Sequence, residues 1–410
     1  MAAPKTYAYT ARDASGKVVK GRVDASSESA VVGKLRTMGV SPINIEEAGT
    51  GTGLQMELSI GNFGKKNVKL KDLAVMSRQM ATMIGAGLSL IRTLTILAEQ
   101  TENKELARVL SLIRSDVESG SALSEALFKH PTVFPPLMIH LIRSGETGGF
   151  LDTALNGAAD NLEADVKLRD TIKSAMTYPV IVLIIAMLSV VGMLLFIVPI
   201  FEKMFSDLGG ELPLPTQILV GMSKAMPWVA AILIPGAVIF SIWWRNNKHT
   251  DSVRGFVDPL KLKLPVFGML FKKVAVARFA RNFSTMMGAG VPILQSLGIV
   301  GETSGSFVVE QALKKVQESV RQGKSVSGPL ALEPVFPSLV FQMIAVGEDS
   351  GAMEIMLNKI AEFYEAEVDT TTKSLTALIE PLMIAFIGIV IGGMIVALYL
   401  PVFSIFDQIK

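Results

Sequence analysis

Few residues in this chain are of a type and spacing that could do covalent chemistry. Gly323-Lys324-Ser325 has the ending of a phosphate-binding loop, in which backbone amides and the lysine would cradle a nucleotide. That loop needs a glycine five residues before Gly323, and Glu318 stands there with no strand-like run ahead of it, so a plain turn is expected. Gly301 to Gly305 and Gly347 to Gly351 put Thr303 and Asp349 where a nucleophile elbow needs serine. The histidines, His130, His140 and His249, form neither an HExxH pair nor another ligand pattern and read as solvated or structural. Cysteine is absent, which excludes disulfides, thiolate chemistry and cysteine-based metal sites. A net charge of +2 with both signs mixed throughout leaves no electrostatic footprint for nucleic acid. No catalytic group, no cofactor and no enzyme activity is expected. Two acidic turns remain, "SGETGG" (144–149) with Glu146 and "VGEDSG" (346–351) with Glu348. Flanking glycines leave amides free there, and each carboxylate is expected to cap the following helix. The alternative is a contact with basic residues of a partner or between bundles, with a bound cation at Glu146 and Glu348 as a weaker form of it.

The elements that carry those turns come in two copies. "SRQMATMIGAGLSLIRTLTIL" (77–97) lies over "ARNFSTMMGAGVPILQSLGIV" (280–300) at a constant offset of 203, so that Arg78 meets Arg281. One residue is deleted near Pro334, and at an offset of 202 "VFPPL" (133–137) meets "VFPSL" (335–339). The register then holds to Pro199 and Pro401. Self-similarity of this length is an internal duplication, and one module is used twice.

Hydrophobic residues make up 50% of the chain and only 19% are charged, with a mean hydropathy of +0.45. The excess is concentrated in runs. Val180–Val198 and Leu382–Leu400 contain no charge, and each approaches the ~20 residues that cross a bilayer as a helix. A third run, Trp228–Trp244, ends in paired tryptophans before Arg245, which suits an interfacial anchor; the alternative is a buried core helix. Lysine and arginine crowd 157–179 and 245–273, while 201–227 offers Lys203 and Lys224 and the tail only Lys410. The richer segments are expected in the cytoplasm, with the N-terminus inside and the C-terminus outside. The middle span returns the chain so that the second copy starts on the same side as the first, giving parallel repeats rather than inverted ones.

The expected fold class is mainly α: a polytopic membrane protein with two duplicated cytoplasmic helical bundles, three transmembrane helices and a small N-terminal α/β unit. Residues 1–47 form that unit, with "TYAYTA" and "KVVKGRVDA" as strands, a helix capped at Ser26 or Ser27 and stopped at Gly39, and "SPINIEE" as a returning strand. The opening "MAAPKTYAYTARD" has no apolar core and is not read as a signal peptide. Residues 48–69 read as a flexible linker. The first bundle is 70–178 and the first span 179–200. A loop over 201–227 and the second span at 228–244 follow, then a linker and second bundle over 245–379. The last span is 380–402 and the tail 403–410. Leu70, Leu73, Met80 and Ile84 share one helix face, and Leu106, Leu110, Ile113 and Val117 form a second stripe. Gly85 and Gly87, like Gly288 and Gly290, are expected to break these stripes at tight helix–helix turns. The helix after each acidic turn is expected to run unbroken into the membrane. At the entry to the last span, Glu380 replaces the Tyr178 of the first copy and is either an interfacial residue or a polar contact to a second protomer or partner. Gly388 and Gly392 form a GxxxG that serves either ordinary packing or dimerisation.

The paired "RQMATMIGAGLSLIRTL", "GSALSEALFKHPTVFPPL", "IRSGETGGFLDTAL" and "VFPSLVFQMIAVGEDSG" stretches, with "YTARDASGKVVKGRVDASS" at the start, resemble the PilC/GspF family, the inner-membrane platform proteins of type IV pilus and type II secretion machines. Ala352-Met353 departs from the leucine that the family tends to carry after its second GE motif. The resemblance implies a non-enzymatic scaffold in the bacterial cytoplasmic membrane. Its partners would be a hexameric assembly or retraction ATPase, pilin or pseudopilin subunits, other inner-membrane assembly proteins, further copies of itself and membrane lipid. A duplicated transporter or channel is the alternative, against which the spans lack internal ionisable residues.

Overall fold

The computed structural model describes residues 5–12, 18–25, 28–37, 41–47, 68–207, 212–248 and 250–408. They belong to two compact units, Met1–Lys65 and Lys66–Lys410. The first holds β1 (Lys5–Arg12), β2 (Val18–Ala25), α1 (Glu28–Thr37) and β3 (Ser41–Glu47). Its sheet runs β2-β1-β3, antiparallel throughout, with Tyr7 opposite Val23 and a register shift at Thr10/Ala11. Tyr7, Ala25, Val31 and Leu35 make its core. The expected caps at Ser26, Ser27 and Gly39 and most of the linker (48–67) lie outside the described residues.

In the second unit, the first repeat comprises α2 (Leu70–Gly85), α3 (Leu90–Gln100), α4 (Lys104–Glu118), α5 (Leu123–Phe128), α6 (Pro136–Gly148) and α7 (Leu151–Gly192). A π-helical turn, Met193–Ile197, joins α7 to α8 (Val198–Asp207). The chain returns through α9 (Leu214–Asn247) and α10 (Asp251–Lys263). The second repeat is α11 (Phe267–Gly288), α12 (Ile293–Thr303), α13 (Phe307–Arg321), α14 (Ser327–Ala331), α15 (Ser338–Ser350) and α16 (Met353–Gln408). The same local signals start equivalent helices. Asn103 accepts from the Glu105 and Leu106 amides at the head of α4, and Ser306 accepts from Val309 at the head of α13. Pro136 and Pro337 open α6 and α15, where a missing N–H costs nothing.

The four turn glycines divide into two kinds. Gly87 (φ +85°) and Gly290 (φ +66°) supply the left-handed residue that reverses the chain. Gly85 and Gly288 end their helices without a positive φ. At Gly288 a Cβ would sit 2.8 Å from the carboxylate of the exposed Glu354, which would have to move aside, whereas Gly85 faces open space. The Gly323 of "GKS" is a turn between α13 and α14, also at positive φ.

The stripes read from sequence meet in a core shared by both repeats, from Leu73, Met80, Leu106 and Ile113 to Phe279, Phe283, Leu313 and Ile344. The bundles are therefore fused, not merely tethered. Three helices are long and apolar enough to cross a membrane, within Leu151–Asp207, Leu214–Asn247 and Met353–Pro401. Two of them, α7 and α16, continue without a break from bundle to span, as expected. The segment read as a loop over 201–227 is instead helical on both sides of residues 208–211, which lie outside the described residues. Its polar residues Thr216 and Ser223 are buried, so periodic packing against the other spans outweighs the loop-like composition.

At two of the prolines inside these helices a hydroxyl from a neighbouring helix comes to the carbonyl that proline strands. Pro401 cannot donate to the carbonyl of Ala397, and the buried Thr216 hydroxyl donates to it from α9. Pro179 strands the carbonyl of Ala175, which accepts from Thr376 of α16 at 3.5 Å. Ser223 donates to Leu194 in the π-helical turn at 2.5 Å. Around these bonds Leu194, Val198, Leu219, Val220, Met394 and Leu398 close into a second core.

Thr216→Val keeps the shape and removes the hydroxyl. It is expected to lower the stability of the full-length protein by about 1 kcal/mol in detergent-induced unfolding monitored by circular dichroism, while Thr216→Ser stays near wild type. In a Pro401→Ala background, where the ladder supplies its own donor, the same substitution should cost measurably less; an equal cost in both backgrounds would disconnect the hydroxyl from the proline.

Candidate functional site

The alignment of Arg78 with Arg281 becomes a repeated clamp. From α2, Arg78 donates through Nε and Nη2 to the two carboxylate oxygens of Glu163 at 2.8 Å each, and also reaches Asp160 and Asn156 on α7. From α11, Arg281 donates to Glu365 at 2.9 and 3.0 Å and to Asn358 on α16 at 2.5 Å. The planar guanidinium fork matches a carboxylate in both repeats. The hydrogen bond from Arg78 holds the Glu163 carboxyl below its ordinary pKa, against the effect of partial burial.

Glu146 and Glu348 are also used twice, with a correction to the expectation. Each sits in the last turn of its helix, α6 or α15, and caps the preceding short helix rather than the following one. Glu146 accepts from the amides of Leu123 and Ser124, the latter at 3.0 Å, at the head of α5. Glu348 accepts from Val326 and Ser327 at the head of α14, the latter at 2.9 Å. The reason is geometric. A glutamate one turn before a helix end projects back along that helix, onto the element packed beside it, and the free amides it meets belong to the positive end of that element. Both carboxylate oxygens of each residue are thus engaged by backbone. Among the described residues no group of three or more His, Asp or Glu side chains is placed to hold a metal ion.

The repeats meet along a polar seam. The buried Asn161 of α7 donates to Asn282 of α11 at 2.8 Å, and Asn282 donates to Thr303 at 3.2 Å. Beside them Arg278 pairs with Asp165 at 2.7 Å, and Arg169 reaches the other oxygen of Asp165 at 3.0 Å. Ser144 of α6 donates to the Ala289 carbonyl at 3.0 Å. A cleft of about 240 Å³ opens along this line, bordered by Asp165, Arg278, Arg281 and Glu302. His140 is half-buried near the seam; burial first, and then Arg143, lower its pKa against the opposing pull of Glu302. His130 shows no ligand cluster around it either, and His249 lies outside the described residues.

A third set of contacts ties the middle span to the second bundle. Arg254 of α10 pairs with the buried Glu310 at 2.8 Å, Lys314 adds a second bond at 2.9 Å, and Asp258 accepts from the Phe307 amide. Burial alone would raise the Glu310 pKa, but the bonds from Lys314 and Arg254 outweigh it and the carboxyl lies below its ordinary value. Composition could not have announced the seam or this tie. The one available signal was asparagine at positions where the helical period calls for apolar residues.

Glu380 is exposed and makes no hydrogen bond or ion pair with the described residues. Gly388 is exposed, and a Cβ at Gly388 or Gly392 would meet nothing within 4 Å, so neither glycine serves packing inside the chain. Beyond Pro227, α9 is exposed on nearly every face. Between α7 and α16 an apolar groove of about 280 Å³ is lined by Leu183, Met187, Val190, Met383, Phe386 and Ile387, among others. The arrangement has the parts of a scaffold: cross-braced bundles, continuous helices into a membrane and apolar surfaces left uncovered there.

Comparison with known proteins gives this scaffold a family. The family described as "Type II secretion system (T2SS), protein F" matches the chain twice, at residues 76–199 and 279–401, and its N-terminal domain matches residues 1–46. The type IV pilus assembly protein PilC of Myxococcus xanthus is 43% identical over 408 residues, covering 98% of this chain and 96% of that protein. PilC of Thermus thermophilus is 43% identical over 405 residues, covering 98% and 99%. The type II secretion system protein F of Xanthomonas campestris pv. campestris is 31% identical over 408 residues, covering 98% and 99%. With both copies of its duplicated module and its N-terminal domain matched along the chain, the protein is a member of the PilC/GspF family of type IV pilus and type II secretion systems.

Proposed function

We propose that this protein is the inner-membrane platform of a type IV pilus. It passes the motion of a cytoplasmic assembly or retraction ATPase to pilin subunits entering or leaving the fibre, and it has no catalytic activity of its own. The observation that carries the reading is 43% identity over nearly the whole chain to two proteins named for pilus assembly, against 31% to proteins named for secretion. The architecture agrees with it. Two helices run from the fused bundles into the membrane without a joint, so displacement of a bundle displaces its span. The uncovered groove between α7 and α16 offers the apolar helix of a pilin a surface within the bilayer. Glu380 at the membrane edge is available to a cation or amide on that subunit, and Gly388 and Gly392 leave room for a helix of a second copy. Deleting the gene in its host should abolish surface fibres and leave type II export unaffected; loss of export with normal piliation would overturn the pilus reading in favour of secretion.

The basic segments 157–179 and 245–273 support a cytoplasmic position for both bundles by the positive-inside rule. Cysteine introduced at Ser206, between the first two spans, should react with a membrane-impermeant maleimide in intact cells. Cysteine at Lys66 or Ser252 should react only after lysis. The reverse pattern would invert the protein and remove the ATPase from reach of the bundles.

Glu146 and Glu348 hold the short helices α5 and α14 in place, and a partner reads the shape they maintain rather than their charge. Glutamine keeps one acceptor oxygen of the two and sets an amide donor against a backbone N–H. Glu146→Gln and Glu348→Gln should therefore cost about 1–2 kcal/mol each, read from thermal unfolding, while the folded double variant binds the ATPase with wild-type affinity. A folded double variant that loses affinity, with wild-type binding weakened by salt, would assign the charge to the partner instead.

A further inference from the structure

The two repeats are joined head to tail, and one end of that arrangement is left open at each side of the chain. The α6–α7 face of the first repeat rests on the α11–α12 face of the second, through Asn161 on Asn282 and Ser144 on Ala289, with Gly157 against Thr285. The duplication supplies the same two faces once more. At the offset of 202, Asn161, Ser144 and Gly157 become Phe363, Val346 and Lys359 on α15 and α16; at 203, Asn282, Thr285 and Ala289 become Gln79, Thr82 and Ala86 on α2. In the seam Asn161 is 8% and Asn282 7% exposed. Their free counterparts are open: Phe363 is 46% and Val346 57% exposed, while Gln79, Thr82 and Ala86 are exposed as well. Val75, one turn from Gln79, is 51% exposed where its counterpart Arg278 lies against Asp165.

We propose that the α15–α16 face of one copy docks on the α2–α3 face of a second copy, repeating between chains the packing that joins the repeats within one. The occupant is a second copy because the chain already shows what fits each face, namely the other member of the same duplicated pair. A face on one side meeting a different face on the other is a heterologous contact, which propagates until it closes. Both repeats end in a helix that enters the same bilayer, so the rotation relating them has its axis along the membrane normal. Further copies then add within the membrane plane, and the assembly is a ring. The large exposed side chains are on the second repeat and the smaller, polar ones on α2, so a knob of Phe363 and Val346 meets a shallow receiving surface.

The inference rests on the self-association included in the proposed function and gives it a surface. The absence of cysteine provides the background for the test. In native membranes, full-length chains with Gln79→Cys plus Phe363→Cys, or Thr82→Cys plus Lys359→Cys, should form disulfide-linked dimers and higher multiples on mild oxidation. A Gln79→Cys chain co-expressed with a differently tagged Phe363→Cys chain should give a mixed dimer, which no bond within one chain can imitate. Leu112→Cys plus Leu332→Cys, exposed on α4 and after α14 and so outside both faces, should stay monomeric, and Phe363→Asp with Val346→Asp should lower the crosslinked fraction several-fold without loss of helical signal. Monomers from both designed pairs, in membranes where a lysine-reactive crosslinker still gives multimers, would overturn this surface and leave self-association standing. Monomers under both treatments would overturn self-association itself.

Discussion

The buried hydrogen bond between Asn161 and Asn282 fixes how the two halves of this protein face each other. Apolar side chains could pack across α7 and α11 at several neighbouring registers with little difference in energy, because hydrophobic contact is non-directional. An asparagine pair admits one register, since any slip leaves polar groups buried without partners at a cost of about 1–3 kcal/mol each. The bond from Asn282 on to Thr303 and the Arg278–Asp165 pair beside it sharpen the same choice. Everything downstream depends on it. As α7 and α16 continue from the bundles into the membrane, the seam also sets where the first and third spans stand.

Inside the bilayer the controlling cost is an unanswered backbone group, not a lost apolar contact. At Pro401 the chain keeps the Thr216 hydroxyl opposite the stranded carbonyl, and at Pro179 the Thr376 hydroxyl, shared with the Thr372 carbonyl of its own helix at 3.0 Å, lies 3.5 Å from it. These bonds also tie the spans to one another where lipid offers no hydrophobic incentive to associate. The Thr376 bond joins α16 to α7 and the Thr216 bond joins α9 to α16. The middle helix is joined to the others only near its start, through Thr216, Ser223 and the core they close, and past Pro227 it separates. Its far end is recovered by α10, whose Arg254 and Asp258 lock onto the head of α13. The corner after α10 is tight: Val266 has a φ of 71°, with the Phe267 amide bonded to the Pro265 carbonyl at 2.8 Å. This is a γ-turn that a β-branched residue adopts only under strain.

Much of the fold was legible because duplication makes a sequence its own control. Two copies of "GAG", of "VFP" and of the GE turn located the helix boundaries, and uninterrupted apolar runs located the spans. Arg78 and Arg281 align in the sequence, and a glutamate at equivalent places on the last helix of each repeat, Glu163 or Glu365, receives them. Legibility stopped where contacts join elements distant in the chain. Glu146 was placed correctly as a cap but assigned to the wrong helix, because sequence order suggests the next element and packing supplied the previous one. The helices on either side of residues 208–211 look like loop in the sequence, since Thr216 and Ser223 resemble surface residues until their hydroxyls find carbonyls in other spans.

Duplication with head-to-tail packing also constrains what the two copies can become. Had the repeats been related by a two-fold, each would present the same face to the other and the same substitutions would serve both. Here the first repeat gives its α7 face to the seam and the second gives its α11 face, so equivalent positions live in opposite environments. Asn161 is buried and its counterpart Phe363 is open; Asn282 is buried and its counterpart Gln79 is open. The divergence follows the environment in an unusual sense, with polar residues in the seam and a large aromatic outside it. Inside each repeat, by contrast, the Arg–Glu clamp and the glutamate cap are made twice with their residue types unchanged. What the copies share therefore marks the contacts each repeat makes with itself, and what they do not share marks the contacts each makes with something else.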